Sequence, residues 1–445
     1  PYTNWAHAAV EIQQAIDAAD AGDVIWVTNG IYQTGETLAF GSISNRVAAT
    51  KPISLRSVNG PEFTIITGHK SYDLDSVRCV YLTNGASMSG FTLTNGSTSI
   101  WAFYGEEDES GAGVRCESEN VFLTNCVIVN CKATSRGGGV YRGTLYHCSV
   151  SNNIANAGGG VSRAKVYDSQ ISSNSTLSYG SGGGGAEYST LDRCLVLDNV
   201  NPDWGGAGVK SCAVTNSTLS GNVGGAAWES ILVSCTVSNN SGGESGGVAF
   251  GTAIDCLIRD NYGGMGGGAS VSALTRCLLI GNSGGTGGAI FSQLTNCTVL
   301  RNSGSGGGGT ANSIVVNTAL FLNSADYGGG SLGDNLFNCT VSGNTAREEG
   351  GGGYISTFYN CIVYHNQSPI GPNYRFDDYF GGSLNFCCTT PIPERGTNNF
   401  TADPQLADGW HLSPNSPCRG AGKLSLTAGL DLDGDAWQNP PSVGC

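Results

Sequence analysis

A short pattern, seen whole in Leu336-Phe337-Asn338-Cys339-Thr340-Val341-Ser342-Gly343-Asn344, recurs about every 21 residues along most of the chain. Its anchors are Cys126, Cys148, Ser169, Cys194, Ser217, Cys235, Cys256, Cys277, Cys297, Thr318, Cys339 and Cys361. Gly90 fits as an earlier, degenerate anchor. Two residues after each anchor stands an aliphatic side chain, from Ile128 and Val150 to Val341 and Val363. Strand alternation puts anchor and aliphatic on one inward face. Five residues after the anchor stands asparagine, from Asn153 through Asn366, with Asn95 after Gly90 and Cys131 as the exception. Asparagine tolerates left-handed backbone at bends, and stacked amides form ladders. Glycine runs such as Gly266 to Gly268 follow.

A period this short, broken by bends, suits three strands per coil. Helical repeats are excluded by the 69 glycines, which would dismantle helices. The expected fold is all-β: a right-handed parallel β-helix of about 13 coils of ~21 residues with an N-terminal capping helix. The expected divisions are a cap over 1–35, coils over 36–366 and a closing segment over 367–445. The helix is expected over residues 6–20, with Ala9, Ile12, Ile16 and Ala19 on one stripe.

The anchor cysteines then form an inward column of packed thiols. Stacked positions on adjacent coils are poorly shaped for disulfides. Cys131, Cys212, Cys387, Cys388, Cys418 and Cys445 lie off the column and are better disulfide candidates. The net charge of −14 argues against nucleic acid and anionic membrane surfaces as partners. No apolar run in this chain is long enough to span a bilayer.

A resemblance follows from particular residues. Ile12-Gln13-Gln14-Ala15-Ile16-Asp17-Ala18-Ala19, then Gly22-Asp23-Val24-Ile25-Trp26-Val27 and Gly30-Ile31-Tyr32, resembles the N-terminal cap of pectin-lyase-like β-helix proteins. The Asn-Cys coils resemble bacterial β-helix repeat proteins of the cell surface. Cys388-Thr389-Thr390-Pro391, Ala402-Asp403-Pro404, His411 to Cys418 and Asp431-Leu432-Asp433-Gly434-Asp435 resemble the closing segment of the subset with C-terminal sorting anchors. The resemblance implies an extracellular or cell-surface location and, because the chain carries neither leader nor anchor, a longer parent protein.

The architecture hosts lyases, hydrolases and adhesins alike. The hydrolase Gly-His-Gly is missing, and Arg163-Ala164-Lys165 alone matches that branch's Arg-x-Lys. Scattered acids, Asp168, Asp192, Asp198, Asp255 and Asp260, lie near Arg193, Arg259 and Arg276 in sequence without forming a convergent set. The acidic run Glu106-Glu107-Asp108-Glu109 falls in an over-long gap between anchors. It reads as a projecting inserted loop, a candidate binding loop or simply a solvated tip. Asp431, Asp433 and Asp435 surround a turn glycine and are candidate calcium ligands, although the later bidentate Glu is missing. Leu278, Ile280, Leu300, Phe321 and Tyr364 make an outward apolar stripe on later coils. It reads as covered by the closing segment or as a self-assembly interface. The main reading is therefore a non-enzymatic extracellular scaffold or adhesin, with self as partner in a fibre or array. The alternatives are a polysaccharide lyase and a non-catalytic module binding surface polysaccharide.

Overall fold

The computed structural model describes the chain apart from residues 1–2, 70, 72–74, 100–104, 178–181, 203–204 and 427–429. It is an all-β parallel β-helix with a short N-terminal helix. The chain divides into two compact units, Pro1–Ile231 and Leu232–Cys445.

In the N-terminal unit, one coil shows the rule. Its strands are Val140–Tyr141 of the third sheet, Thr144–Tyr146 of the first and Ser149–Ser151 of the second, the sheets being numbered in the order in which the chain first enters them. Each pairs in parallel with its counterparts one coil before and one after, so Val140 sits between Val114 and Val161. Constant register turns sequence periods into vertical columns. The corners are left-handed: Arg142, His147 and Asn152 have φ of 63°, 52° and 55°. Each precedes a buried inward residue, here Gly143, Cys148 and Asn153.

This displaces two sequence expectations by one residue. The left-handed position is four residues past the anchor, as at Asn152, Asp198 and Gly221; the asparagine at five is a buried rung instead. The early anchor is Phe91 rather than Gly90, because Thr92 pairs with Val127. Asn95, with φ of 56°, is consequently a corner and not a rung.

The rungs explain the residue choice. Asn174 Oδ1 accepts from the backbone N of Asn153 at 3.0 Å and from its Nδ2 at 3.1 Å, while Asn174 Nδ2 donates to Val150 O at 2.9 Å. Removing one rung strands several buried polar groups, each worth about 1–3 kcal/mol. At the anchor the task is to accept one amide and donate to one carbonyl. Ser169 Oγ takes the Cys148 amide at 2.9 Å, and its hydroxyl donates to Tyr167 O at 2.7 Å. Cysteine, serine and threonine all perform this, hence their interchange.

Helix Ile12–Ala18 is shorter than expected and follows a 3-10 turn, Trp5–His7. Ile12 and Ile16 are buried. Gln13 fastens the helix by exchanging hydrogen bonds with the backbone of Ala48, and Lys51 Nζ donates to the Ala19 carbonyl at 2.6 Å.

The C-terminal unit repeats the plan, as in Ala289–Ile290, Gln293–Thr295 and Thr298–Leu300. It also has a fourth sheet not expected from the sequence, running through Ser241–Gly242, Tyr262–Gly266, Ser283–Thr286, Ser303–Gly304, Ser324–Tyr327 and Thr345–Glu349; the N-terminal unit has a two-stranded counterpart, Ile154–Ala155 with Ser175–Thr176. Here the residues after each rung, glycines in several coils, run extended and pair. Coils also continue past 366: Tyr374–Arg375, Ser383–Asn385 and Cys388–Thr389 form one more. Asn373 supplies its rung to Asn366 at 3.1 Å. Cys387 therefore belongs to the anchor column, its Sγ accepting from the Cys361 amide at 3.4 Å. In the N-terminal unit Cys131 occupies an asparagine rung, and Cys212 occupies the small-residue corner between Ser189 and Ser230. These three are ladder residues, not disulfide candidates.

Beyond Thr389 the chain folds back on the outward face of the second sheet. Cys418 and Val443 bury against Ile362 and Cys388, ringed by Tyr364, Phe400, Leu406 and Leu412. Corner asparagines hold it by backbone: Asn360 exchanges hydrogen bonds with Lys423, and Asn317 Nδ2 donates to Leu430 O at 2.9 Å.

Candidate functional site

The outward column of the third sheet in the N-terminal unit runs Arg115, Tyr141, Ser162, Glu187, Lys210. The next position is a left-handed corner carrying Arg142, Arg163 and Tyr188. The two columns form a charged, aromatic face, and the acidic loop lies on it.

The loop does not project freely. Its base is locked by Arg78, which is fully buried. Arg78 Nε donates to Gly111 O at 2.9 Å and Nη2 to Asp108 O at 2.8 Å and Ser110 O at 3.1 Å. Burial first, then neighbouring Arg115, pushes this guanidinium down to about 9. Asp108 is buried as well: Oδ2 accepts from Ser42 N at 2.8 Å and Ser42 Oγ at 2.6 Å, while Oδ1 is unpartnered. Burial, then Asp108 and Glu106, raises the Glu109 carboxyl.

Glu106 and Glu107 each lie between two arginines. Glu107 meets Arg142 at 2.7 Å and Arg115 at 3.1 Å. Glu106 meets Arg136 at 2.8 Å and Arg163 at 3.0 Å. Arg136 also pairs with buried Glu187, whose carboxyl is raised by burial despite that partner. Arg163 donates to Tyr141 Oη at 2.7 Å, and the guanidinium groups of Arg142 and Arg163 lie 5.2 and 5.7 Å from the Tyr141 ring centroid. Arg115 stacks on Phe40 at 4.0 Å; its Nε and Nη1 are buried without partners. Such guanidinium forks match carboxylates in shape and charge.

Of the residues singled out by sequence, this site gathers Glu106, Glu107 and Arg163. Lys165 lies on the first sheet and pairs with Glu119 at 2.9 Å. The missed members are Arg78, Arg115, Arg136, Arg142 and Glu187. Only the repeat of arginine six positions before an anchor, at 142 and 163, signals them. The dispersed acids pair locally across coils, Arg193 with Asp168 and Arg276 with Asp255, both at 2.7 Å.

Asp431 Oδ1 accepts from the Asp435 amide at 2.7 Å, and Asp433 lies 3.2 Å from His411 Nε2. Among the described residues no three His, Cys, Asp or Glu side chains converge on a metal position. Leu278, Ile280, Leu300, Phe321 and Tyr364 are part-buried on the second sheet of the C-terminal unit. Ile280, Leu300 and Phe321 are in vertical register, and Gly409 of the closing segment lies against the Phe321 ring. A cleft of about 560 Å³ beside the N-terminal helix is lined by Trp5, Ala15, Trp26 and Tyr32. Its ionisable groups are Glu11, Asp23 and Tyr32, with no cation, so the arginine face offers the richer chemistry.

No family model and no curated protein matches the chain. Solved structures do. A mannuronic acid specific polysaccharide family 6 lyase from human gut microbiota aligns at 12% identity and TM-score 0.33, covering 88% of this chain and 89% of the other. Pectate lyase Pel9A aligns at 14% identity and TM-score 0.29 over 98% and 90%. The tailspike protein of E. coli bacteriophage HK620 aligns at 12% identity and TM-score 0.36 over 89% and 78%. At these values the likeness is one of coil architecture and says nothing about what this chain binds.

Proposed function

We propose that the protein is an extracellular carbohydrate-active β-helix whose arginine face in the N-terminal unit binds an acidic polysaccharide. The observation that carries this reading is the clamping of Glu106 and Glu107 by paired arginines from successive coils. The loop carboxylates stand where the carboxylates of a uronate chain would bind. Coils rise ~4.8 Å, close to one pyranose unit, so each coil can address one sugar. Half-exposed Tyr188 adds a stacking surface.

Calorimetric titration with a uronate oligosaccharide and with a neutral glucan tests the reading. Arg142→Ala and Arg163→Ala should each weaken uronate binding about tenfold, near 1.5 kcal/mol. Glu107→Gln should strengthen it, because the internal competitor is removed. Equal affinity for uronate and glucan, or no response to these variants, overturns it. Ultraviolet absorbance from an unsaturated uronate separates a lyase from a non-catalytic binder. A non-enzymatic scaffold is favoured by one observation, that each of these arginines already has a carboxylate partner, and it expects no binding at all.

A further inference from the structure

We propose that Cys388 and Cys418 form a disulfide that clamps the closing segment to the last coil of the C-terminal unit. Both side chains are fully buried in one small apolar cluster with Ile362 and Val443. Cys388 Sγ reaches into the folded-back chain, donating to Ala402 O at 3.1 Å, and the two thiols act on each other's ionisation, Cys388 held up and Cys418 down. They approach from opposing elements. Cys388 pairs with Ile362 on the outward column of the second sheet, and Cys418 comes down on it from the folded-back chain.

The other thiols in contact are placed differently. Cys235, Cys256, Cys277 and Cys297 stack at equivalent positions of parallel coils, and so do Cys339, Cys361 and Cys387. Their Cβ atoms repeat the strand spacing of ~4.8 Å, wider than a disulfide accepts. They are also employed: each anchor thiol donates to the carbonyl two residues before it, as Cys361 to Tyr359 O at 3.2 Å and Cys387 to Asn385 O at 3.2 Å. Cys418 has no such ladder task. Cys445 meets the Thr340 hydroxyl at 3.4 Å and not a thiol.

The step balances with a disulfide oxidant such as oxidised glutathione. One protein thiolate attacks it, giving a mixed disulfide and one glutathione thiolate. The second protein thiolate attacks the mixed disulfide and expels the other. One protein S–S bond forms, one glutathione S–S bond breaks, and two protons leave the protein thiols. Burial of both cysteines makes opening of the closing segment the gate to the first attack.

The test is peptide mapping of the full chain after incubation with oxidised glutathione and alkylation in denaturant. The expected product is a single cross-link joining the peptide holding Cys387 and Cys388 to the peptide holding Cys418. It persists in Cys387→Ser, since serine fills that ladder position at Ser169 and Ser217, and is lost in Cys418→Ser. The oxidised wild type should melt several degrees above the reduced form, a difference absent in Cys418→Ser. Complete alkylation of Cys388 and Cys418 after oxidation overturns the proposal, as does a cross-link from either one to a ladder cysteine. The wild-type map decides the matter even where a variant fails to fold.

Discussion

The third-sheet face of the N-terminal unit and the second-sheet face of the C-terminal unit are both covered by their own chain, in opposite chemistries. In the first, an inserted loop lays Glu106 and Glu107 on arginines. In the second, the closing segment lays Leu406, Leu412 and Val443 around Ile362 and Tyr364. Beneath both, the inward ladders are the same. The interior of such a coil is fixed by what its ladders must bond. Its outer columns are free to vary, and each is covered by a segment of matching chemistry. An apolar cover stays shut because opening exposes surface to water. On the proposed function an ionic cover is the exchangeable one, since a ligand carboxylate would replace the loop's at little net cost.

The sharpest way to break this comparison is to put charge under the apolar cover. Leu300→Asp with Phe321→Asp should cost about 4 kcal/mol in denaturant unfolding, as buried unpaired charge does. If the stripe instead docks another copy, stability holds and assembly, read by light scattering, is lost. Unchanged stability and unchanged assembly would mean that the stripe is open.

What the sequence disclosed follows the same division. The coil, its inward aliphatics and the asparagine rungs were legible because each repeats in strict phase. The one-residue error at Gly90 and Asn95 arose because glycine and asparagine serve both at corners and at rungs. Cys387 escaped the column because its coil is separated by an atypical spacing after Cys361. The site was hardly legible. Arg115, Arg142 and Arg163 stand on different coils, and the loop that joins them belongs to no repeat. Its insertion could be read, but not the direction in which buried Arg78 and Asp108 fold it.

A smaller effect distinguishes the two units inside rather than outside. At the corner where other coils carry Gly143, Ser189 or Ser292, the C-terminal unit has Asp334, fully buried. It accepts from Thr310 Oγ1 at 2.6 Å and the Ser313 amide at 2.7 Å. Burial pushes its carboxyl up to about 7, against 3.8 when free. The folded state thus holds a proton that the unfolded chain releases, so stability is full below pH 4 and falls as pH rises to about 7. The loss is at most about 4 kcal/mol. Asp334→Asn should remove this slope in urea melts taken between pH 4 and 8. A slope unchanged in the variant would show that the carboxyl ionises freely in the fold.

The smallest effect concerns an ionic contact of the closing segment, set among its apolar ones. Burial pulls the His411 imidazole down, but its hydrogen bonds to the Asp408 and Asp433 carboxylates outweigh it and hold the cation above its usual 6.5. Such a raised base contributes stability that is complete below pH 6.5 and lost as pH rises through the folded value. With side chains more than a third exposed, solvent screening keeps the contribution below about 1 kcal/mol. His411→Gln should flatten only the part of the stability curve above pH 6.5, leaving the Asp334 slope below it intact. The same aspartate bears on calcium binding at this turn. Asp433 faces a cation already, and Asp431 holds the Asp435 amide, so a bound ion would have to displace both. Millimolar calcium should therefore leave the melting temperature at pH 6 unchanged relative to chelator. A rise that is abolished by Asp433→Asn would show instead that the turn reorganises around the ion, and the closing segment would then be held by metal as well as by apolar contact.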